Sequence, residues 1–131
     1  MKDIGILVAR ILLAILFITA GMGKLGNVQG FAAFMESGGV PAFLAWPVIA
    51  LEILGGVAVL IGLLTRPAAL ALGGFSVLAG LLYHFDPADQ MQMTMLMKNL
   101  GLGGGFLLLA LQGPGTWSVD AALARGRLQH G

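Results

Sequence analysis

The sequence has no cysteine, which excludes disulfide bonds, thiolate catalysis and cysteine-ligated metal centres. Redox chemistry in such a chain would need another molecule to carry the electrons. Charged side chains are also scarce, because Asp, Glu, Lys and Arg form only 10% of the sequence, against about 25% in a typical soluble domain. The formal net charge of +1 provides no basic surface for DNA or RNA, so no nucleic-acid partner is expected.

Hydrophobic residues, in contrast, make up 58% of the 131 residues. A soluble domain of this size buries only a limited fraction of its surface, so lipid must cover the remaining apolar surface. Four apolar runs, at residues 4–25, 41–64, 67–85 and 95–111, are near the roughly 17–25 residues that a bilayer core of about 30 Å requires. Backbone groups in lipid need internal partners, so these runs must be helices. The sequence therefore predicts an all-α fold, a single membrane domain over residues 1–131 built as a four-transmembrane-helix bundle.

The segments around the runs predict how the helices connect. The first run has no clear cleavage site and is interrupted by Arg10, so we expect it to stay as a span and not to act as a signal peptide. Only Thr65 and Arg66 separate the second and third runs, and Pro67 follows them. This predicts an antiparallel hairpin with proline in the first turn of the third helix. Residues 26–40 are expected to lie at the membrane interface as a short helix, and residues 116–131 to form an interfacial tail.

Lysine and arginine are unevenly distributed around the runs, and this bias predicts an orientation. With the N-terminus inside, the cytoplasmic side would hold more of these residues than the outer side: Lys2, Arg66, Arg125 and Arg127 against Lys24 and Lys98. We therefore predict that both termini face the cytoplasm (N-in/C-in), in a multi-pass protein of the bacterial cytoplasmic (inner) membrane.

Five ionisable residues lie within or at the ends of the spans: Arg10, Lys24, Glu52, His84 and Lys98. A charge at mid-bilayer costs about 2.5–3.5 kcal/mol on insertion scales, so such residues normally face the bundle interior and find partners. Arg10 would lie about 9 Å from the inner end of its run and Glu52 about 16 Å from the outer end of its own. A long arginine side chain can bridge the remaining gap of about 5 Å, so we predict an Arg10–Glu52 pair.

The other ionisable groups approach one another at the outer ends of the helices. We predict a polar cavity in the outer half of the bundle, with Tyr83 as a possible further hydrogen-bonding group. In this cavity Glu52 and His84 would have catalytic roles, and four residues would bind a cofactor: Arg10, Lys24, Lys98 and Asn99. Structural roles are open alternatives, since an ion pair can fix helix register, lysines can extend to headgroups, and His84 can be an interfacial residue.

Two further patterns have alternative interpretations. Gly101 and Gly105 have GxxxG spacing, which serves either helix packing within one chain or the seam of a homo-oligomer. The alternating run Met91, Met93, Met95 and Met97 offers soft ligands of the kind that bind Cu(I). A spacing of two does not place these side chains on one helical face. We therefore favour packing or lipid contact for them and expect no metal site.

Several short fragments together resemble the DoxX family of small bacterial membrane proteins. They are RILLA from Arg10, AGMGKL from Ala20, EILGG from Glu52, GLLTR from Gly62, HFDP from His84, KNL from Lys98 and GPG from Gly113. Their order and spacing cover nearly the whole chain. The resemblance implies a four-helix membrane bundle and supports the five ionisable residues as the family's polar positions. Proteins similar to this one have been linked to quinone-coupled sulfur oxidation and to membrane redox-defence complexes.

These observations lead to three functional hypotheses. The leading one is an accessory membrane subunit of a quinone-linked oxidoreductase, which binds a quinone-like or other lipophilic small molecule and receives electrons from a redox partner protein. No flavin, haem or metal motif is present in the sequence. The alternatives are a non-enzymatic scaffold that recruits a redox partner to the membrane, and a small transporter that would work only as a homo-oligomer.

Overall fold

The computed structural model describes residues 1–131, and its secondary structure is entirely helical. The six α-helices are α1 (Lys2–Leu25), α2 (Val28–Ser37), α3 (Ala45–Ile61), α4 (Thr65–Tyr83), α5 (Gln90–Gln112) and α6 (Val119–His130), and a short 3₁₀ turn at Ala42–Leu44 leads into α3. Four of them, α1, α3 with its preceding turn, α4 and α5, are long and apolar enough to cross a membrane. The predicted all-α bundle of four membrane-spanning helices is confirmed.

The α5 helix begins at Gln90, well before residue 95, where the apolar run was expected to start. Asp89 explains the early start, because its carboxylate accepts hydrogen bonds from the backbone N–H groups of Met91 and Gln92. Such a side-chain cap satisfies donors that the first turn of a helix leaves free. Met91, in the added turn, and Met97, in the predicted run, are both on the exposed surface, 70% and 56% accessible.

The spanning helices are arranged as two tightly packed pairs, α1 with α3 and α4 with α5. Glycine allows the close approach in each pair. A Cβ added at Gly56 would lie 2.8 Å from the side chain of Ile18. One added at Gly73 would lie 2.9 Å from Cβ of Phe106. Phe17 and Phe106 meet edge to face between the pairs, with ring centroids 5.5 Å apart, and so form the centre of the core.

The GxxxG pair has little part in this packing. Gly101 faces open space, and a Cβ at Gly105 would reach only ordinary contact with Leu13 at 3.5 Å. The tight contact between α4 and α5 instead uses Gly73 and Gly103, where an added Cβ on either residue would approach the other's carbonyl oxygen to 3.5 Å. The alternative of packing within the chain therefore holds for other glycines, and a homo-oligomer seam at Gly101 stays a prediction.

One end of the bundle, here called the terminal end, carries the start of α1, the turn between α3 and α4, and residues 113–131. Arg10 is 1% exposed and donates hydrogen bonds to the carbonyls of Val59 and Leu60 in α3 and of Pro114 and Trp117 in the tail segment, at 2.7–3.0 Å. Since these carbonyls belong to a helix end and a loop, Arg10 connects α1, α3 and the tail.

The predicted Arg10–Glu52 pair is therefore wrong. The α-helical part of the second span starts at Ala45 and not at residue 41, so Glu52 lies only about 10 Å from its start. The Arg10 side chain extends towards Val59, which is about 10 Å further along α3. The assumed helix start accounts for about 6 Å of the error. The rest comes from the packing of α3 on α1, which places Glu52 beside Gly21.

Candidate functional site

A cavity of about 400 Å³ lies in the half of the bundle opposite the terminal end. It is enclosed by the four spanning helices, with α2 as a roof across one end, and 15 of its 21 lining residues are hydrophobic. The remaining six are polar or charged: Lys24, Glu52, Ser76, His84, Lys98 and Asn99. Five of these six residues are sequence-predicted site residues, and Tyr83 also lines the cavity. Arg10 is not among the lining residues.

Glu52 forms an ion pair with Lys24 on one wall of the cavity. Lys24 Nζ lies 2.8 and 2.9 Å from the two carboxylate oxygens, and the two side chains are 28% and 2% exposed for lysine and glutamate. Gly21 permits this pairing, because a Cβ there would come within 3.2 Å of Cβ of Glu52. Glu52 is thus at the level of Gly21, about one turn before Lys24. Its counter-ion is Lys24 and not Arg10.

Lys24 also connects the ion pair to the roof. Its ammonium group lies 5.1 Å from the ring centroid of Phe31 in α2, within the range of a cation–π interaction. On the other side of the roof, the Tyr83 hydroxyl donates to the carbonyl of Met35 at 2.8 Å, and its ring stacks on Phe34 at 4.9 Å. The short helix α2 is therefore fixed from both sides, by α1 and by α4.

His84 follows the last residue of α4 and lies at the rim of the cavity. Its Nδ1 is 2.7 Å from Oε1 of Gln92. Because an amide oxygen only accepts hydrogen bonds, this assignment places the proton on Nδ1. In the neutral imidazole Nε2 then accepts a hydrogen bond, and only the imidazolium form donates from both nitrogens. Gln92 was not part of the sequence prediction, because it lies before the predicted start of the fourth apolar run, in a segment expected to be a loop.

Lys98 and Asn99 provide hydrogen-bond donors that the protein itself does not use. Asn99 is 9% exposed and packs against Gly80 of α4, where an added Cβ would lie 3.0 Å from Cβ of Asn99. Neither the ammonium group of Lys98 nor the amide of Asn99 takes part in any hydrogen bond or ion pair within the chain. Asn99 as a whole is nearly buried, but its amide atoms remain accessible, so these two residues give the cavity free donors for an oxygen atom of a ligand.

The cavity is partly open, and part of its lining on α4 is exposed. Leu78 and Leu82 line it and are 58% and 49% exposed, far more than the wall of an enclosed space would be. Both residues lie in the part of α4 that spans the membrane, so the opening faces lipid. A molecule dissolved in the bilayer can reach the polar groups without passing through water.

The sequence did not indicate most of the cavity wall. Ser76 was not among the predicted site residues, and in the structure its hydroxyl donates to the carbonyl of Leu72 at 2.8 Å. Phe31 and Phe34 were expected to lie at the membrane interface, and in the structure both line the cavity from α2. The aromatic residues of a membrane helix resemble any other apolar residue in sequence, so nothing in the pattern marks Phe75 as part of a cavity.

Comparisons with known proteins agree with this architecture. The family model DoxX matches residues 5–85. The chain is 50% identical over 123 residues to the Inner membrane protein YqjF of Escherichia coli (strain K12), covering 94% of this chain and 95% of the relative. It is 30% identical over 126 residues to the Inner membrane protein YphA of the same organism, covering 91% and 90%.

A third relative comes from a different organism. The chain is 32% identical over 114 residues to a protein of Bacillus subtilis (strain 168) named "Putative oxidoreductase CatD", with 82% of this chain and 85% of the relative covered. No solved structure matches the chain. The four candidate spans and the two inner-membrane relatives together place the chain in the inner membrane as a multi-pass protein.

Proposed function

Because this chain belongs to the DoxX family of membrane proteins, we propose that it binds a quinone-like lipophilic small molecule in the cavity, as the membrane subunit of a redox system. The observation that carries this proposal is the cavity itself, an apolar space that opens to lipid and contains free hydrogen-bond donors. Its volume of about 400 Å³ is within the usual range of about 300–1,000 Å³ for small-molecule sites.

The residues present fit a quinone head group. The ring and the start of an isoprenoid or alkyl tail would contact the apolar walls, and the tail would leave through the opening beside Leu78 and Leu82. Quinone oxygens accept hydrogen bonds, and Lys98 and Asn99 have donors free for them. Lys24 was predicted as a further donor, but its ammonium group is occupied by Glu52, so it holds the carboxylate in place instead.

A bound quinone would supply two-electron chemistry coupled to protons. In this proposal Glu52 and His84 are the groups that exchange protons with the ligand. The free Nε2 of His84 is an acceptor for a hydroxyl of a reduced ring when the imidazole is neutral. Glu52 can accept a hydrogen bond from a ligand through the lone pairs that Lys24 leaves free. Arg10 has no part in this site, since its donors are used at the terminal end.

The redox part of the proposal has a separate basis. It comes from the name of the Bacillus relative, which calls that protein an oxidoreductase, and from the chemistry of the cavity. The chain has no cysteine and no motif for a tightly held electron carrier, so electrons would come from a partner protein. Reconstitution with that partner would test this part separately from ligand binding.

Ligand binding can be tested with two matched substitutions on α4. Ala79 lines the cavity, whereas Ala71 lies two turns away on the exposed surface. Ala79→Phe should fill the cavity and weaken binding of a short-chain ubiquinone analogue at least about tenfold, since phenylalanine would occupy the space of the ring. Ala71→Phe should bind like the wild type. Titration in nanodiscs measures both affinities, and equal affinities for the two variants would overturn the proposed site.

A further inference from the structure

We propose, building on the proposed function, that the cavity selects acidic lipophilic ligands in their ionised form, with the anionic oxygen on Lys98. The class of ligand would be hydroxyquinones and similar molecules that combine an apolar tail with one ionised hydroxyl group. This selection goes beyond quinone binding, because an ordinary quinone is neutral and gives no reason for an unpaired cation in the site.

The charges that line the cavity do not cancel. Three charged side chains contribute: Lys24, Glu52 and Lys98. With His84 and Tyr83 neutral, two positive charges and one negative charge leave a formal charge of +1. Lys24 and Glu52 neutralise each other at 2.8 Å, so the remaining positive charge belongs to Lys98 alone.

Lys98 has an exposed side chain and carries an unpaired charge within a membrane-spanning helix. It is the ninth residue of α5, about 12 Å along the helix from Gln90, in a segment long and apolar enough to span the membrane. Charged groups in such positions normally have a partner. Within the chain Lys98 has none, and no carboxylate other than that of Glu52 lines the cavity. A monoanionic ligand would bring the cavity to neutrality and supply the missing acceptor.

Asn99 makes the arrangement more selective for an oxyanion. It follows Lys98 in α5, lines the same cavity and is 9% exposed. Its side-chain NH₂ group has no acceptor in the protein, so it offers the ligand a hydrogen bond in addition to the charge-assisted bond from Lys98. Charge-assisted bonds are roughly twice as strong as neutral ones. A cationic ligand would meet only repulsion at this position.

The test uses a pair of probes that differ in charge but not in shape. An alkylated hydroxynaphthoquinone is ionised at neutral pH, and its methyl ether is neutral. Both are titrated into the protein in nanodiscs of zwitterionic lipid, and Ala79→Phe gives the background of partition into lipid. We expect the wild type to bind the ionised probe about tenfold or more tightly than the ether, since a hydrogen bond to a charged group contributes about one decade of affinity or more.

Variants of Lys98 show whether this residue is responsible for the preference for the ionised probe. Lys98→Met should bring the ratio of the two affinities to about one. Affinity for the ether should fall only by the loss of one hydrogen bond, and its binding above the background of Ala79→Phe shows that the variant is folded. Lys98→Arg should keep the preference, and Lys2→Met, the same substitution at the terminal end, should leave it unchanged.

Two results separate this inference from the proposed function. If both probes bind in an Ala79→Phe-sensitive way with equal affinities, or if Lys98→Met keeps the preference, charge selection is overturned and quinone binding stands. If neither probe nor the ubiquinone analogue binds above the background of Ala79→Phe, both proposals are overturned.

Discussion

Arg10 satisfies four backbone carbonyl groups at the terminal end. The carbonyls of Val59 and Leu60 belong to the last turn of α3, where no further helical N–H group is available to them. In lipid such groups need a partner from the protein. The planar guanidinium has five N–H donors in a fixed fork, which suits several acceptors that approach from different directions.

Replacing Arg10 should therefore reduce stability and not ligand affinity. Arg10→Ala should lower the free energy of unfolding by about 3 kcal/mol or more, because several buried carbonyls lose their donor at once. Arg10→Lys should recover only part of this loss, since an ammonium group has three donors. Unfolding in mixed micelles measures the change, and Arg127→Ala at an exposed position is the control.

The same variants test the sequence prediction that Arg10 binds a cofactor. If the surviving fraction of Arg10→Lys binds the ubiquinone analogue with wild-type affinity, the residue is structural. A loss of affinity without a loss of stability would contradict the structure and favour the original prediction.

At the scale of single residues, the sequence predicts which polar side chains gather in the cavity, but it does not predict which of them form an ion pair. Five of the six polar residues of the cavity were predicted from the sequence, four from the cost of charge in lipid and Asn99 as an adjacent hydrogen-bonding residue. The pairing of Glu52 with Lys24 instead of Arg10 depends on the start of α3 at Ala45. Hydropathy does not define that start, because a 3₁₀ turn and a helix are equally apolar.

Among the helices, the contact between α4 and α5 shows how adjacent glycines can have opposite roles. A Cβ at Gly73 would meet Phe106 at 2.9 Å, whereas a Cβ at Gly74 would have no neighbour within 4 Å. Sequence spacing treats the two residues alike. Only the direction of each Cα towards or away from the partner helix distinguishes them.

Substitutions at these two glycines should differ clearly in their effect on stability. Gly73→Leu should destabilise the protein by about 1–3 kcal/mol or more, because the side chain would force the two helices apart. Gly74→Leu should be tolerated, since its side chain would extend into lipid. Both are compared by the midpoint of unfolding in mixed micelles, and equal midpoints would contradict the packing of α4 on α5.

The start of α4 is capped by a residue from the tail. Asp120 accepts hydrogen bonds from the backbone N–H groups of Leu64 and Thr65 at 2.8 and 2.9 Å. Desolvation by itself would raise the pKa of the Asp120 carboxyl. The hydrogen bonds from Thr65 and Leu64, with the nearby charge of Arg10, outweigh this effect and lower the pKa below its usual value.

This lowered pKa predicts how stability depends on pH. A carboxyl whose pKa is lower in the folded state contributes stability above its ordinary pKa of about 4, and the contribution disappears as the pH falls through the lowered value. Asp120→Asn should therefore be less stable than the wild type at neutral pH, by about 1 kcal/mol as for a lost helix cap. Its stability should also fall less steeply below about pH 4.

Unfolding midpoints measured from acid to neutral pH check this expectation. Asp86→Asn, an exposed substitution at the other end of the bundle, should keep the wild-type pH dependence. Parallel curves for the wild type and Asp120→Asn would contradict the role of the cap.

For the molecule as a whole, two close helix pairs leave a space between them at one end. The short turn at residues 62–64 keeps α3 next to α4 at the terminal end. At the opposite end no such turn holds them together, and the cavity occupies the gap under α2. Hydrophobic runs predict how many helices cross the membrane, but the spacing between pairs depends on which glycines face each other, so the cavity could be predicted only as a cluster of polar residues.

The predicted orientation, with both termini in the cytoplasm, can be tested directly because the chain has no cysteine. Single cysteines at Ala88 and Gln129, both exposed, report on the two ends of the bundle. In intact cells an impermeant maleimide should label Ala88→Cys and reach Gln129→Cys only after lysis. The reverse pattern would place the cavity in the inner half of the membrane.

The tail contacts also have a consequence for biosynthesis. Pro114, Trp117 and Asp120 are translated after all four spans, yet they complete the bonds of Arg10 and of the first turn of α4. Until the last segment leaves the ribosome, the guanidinium of Arg10 lacks two of its acceptors, and the backbone N–H groups of Leu64 and Thr65 at the start of α4 lack theirs. We expect that insertion of the spans and locking of the bundle are separate events, and that a chain ending before residue 114 inserts but remains a substrate for membrane proteases.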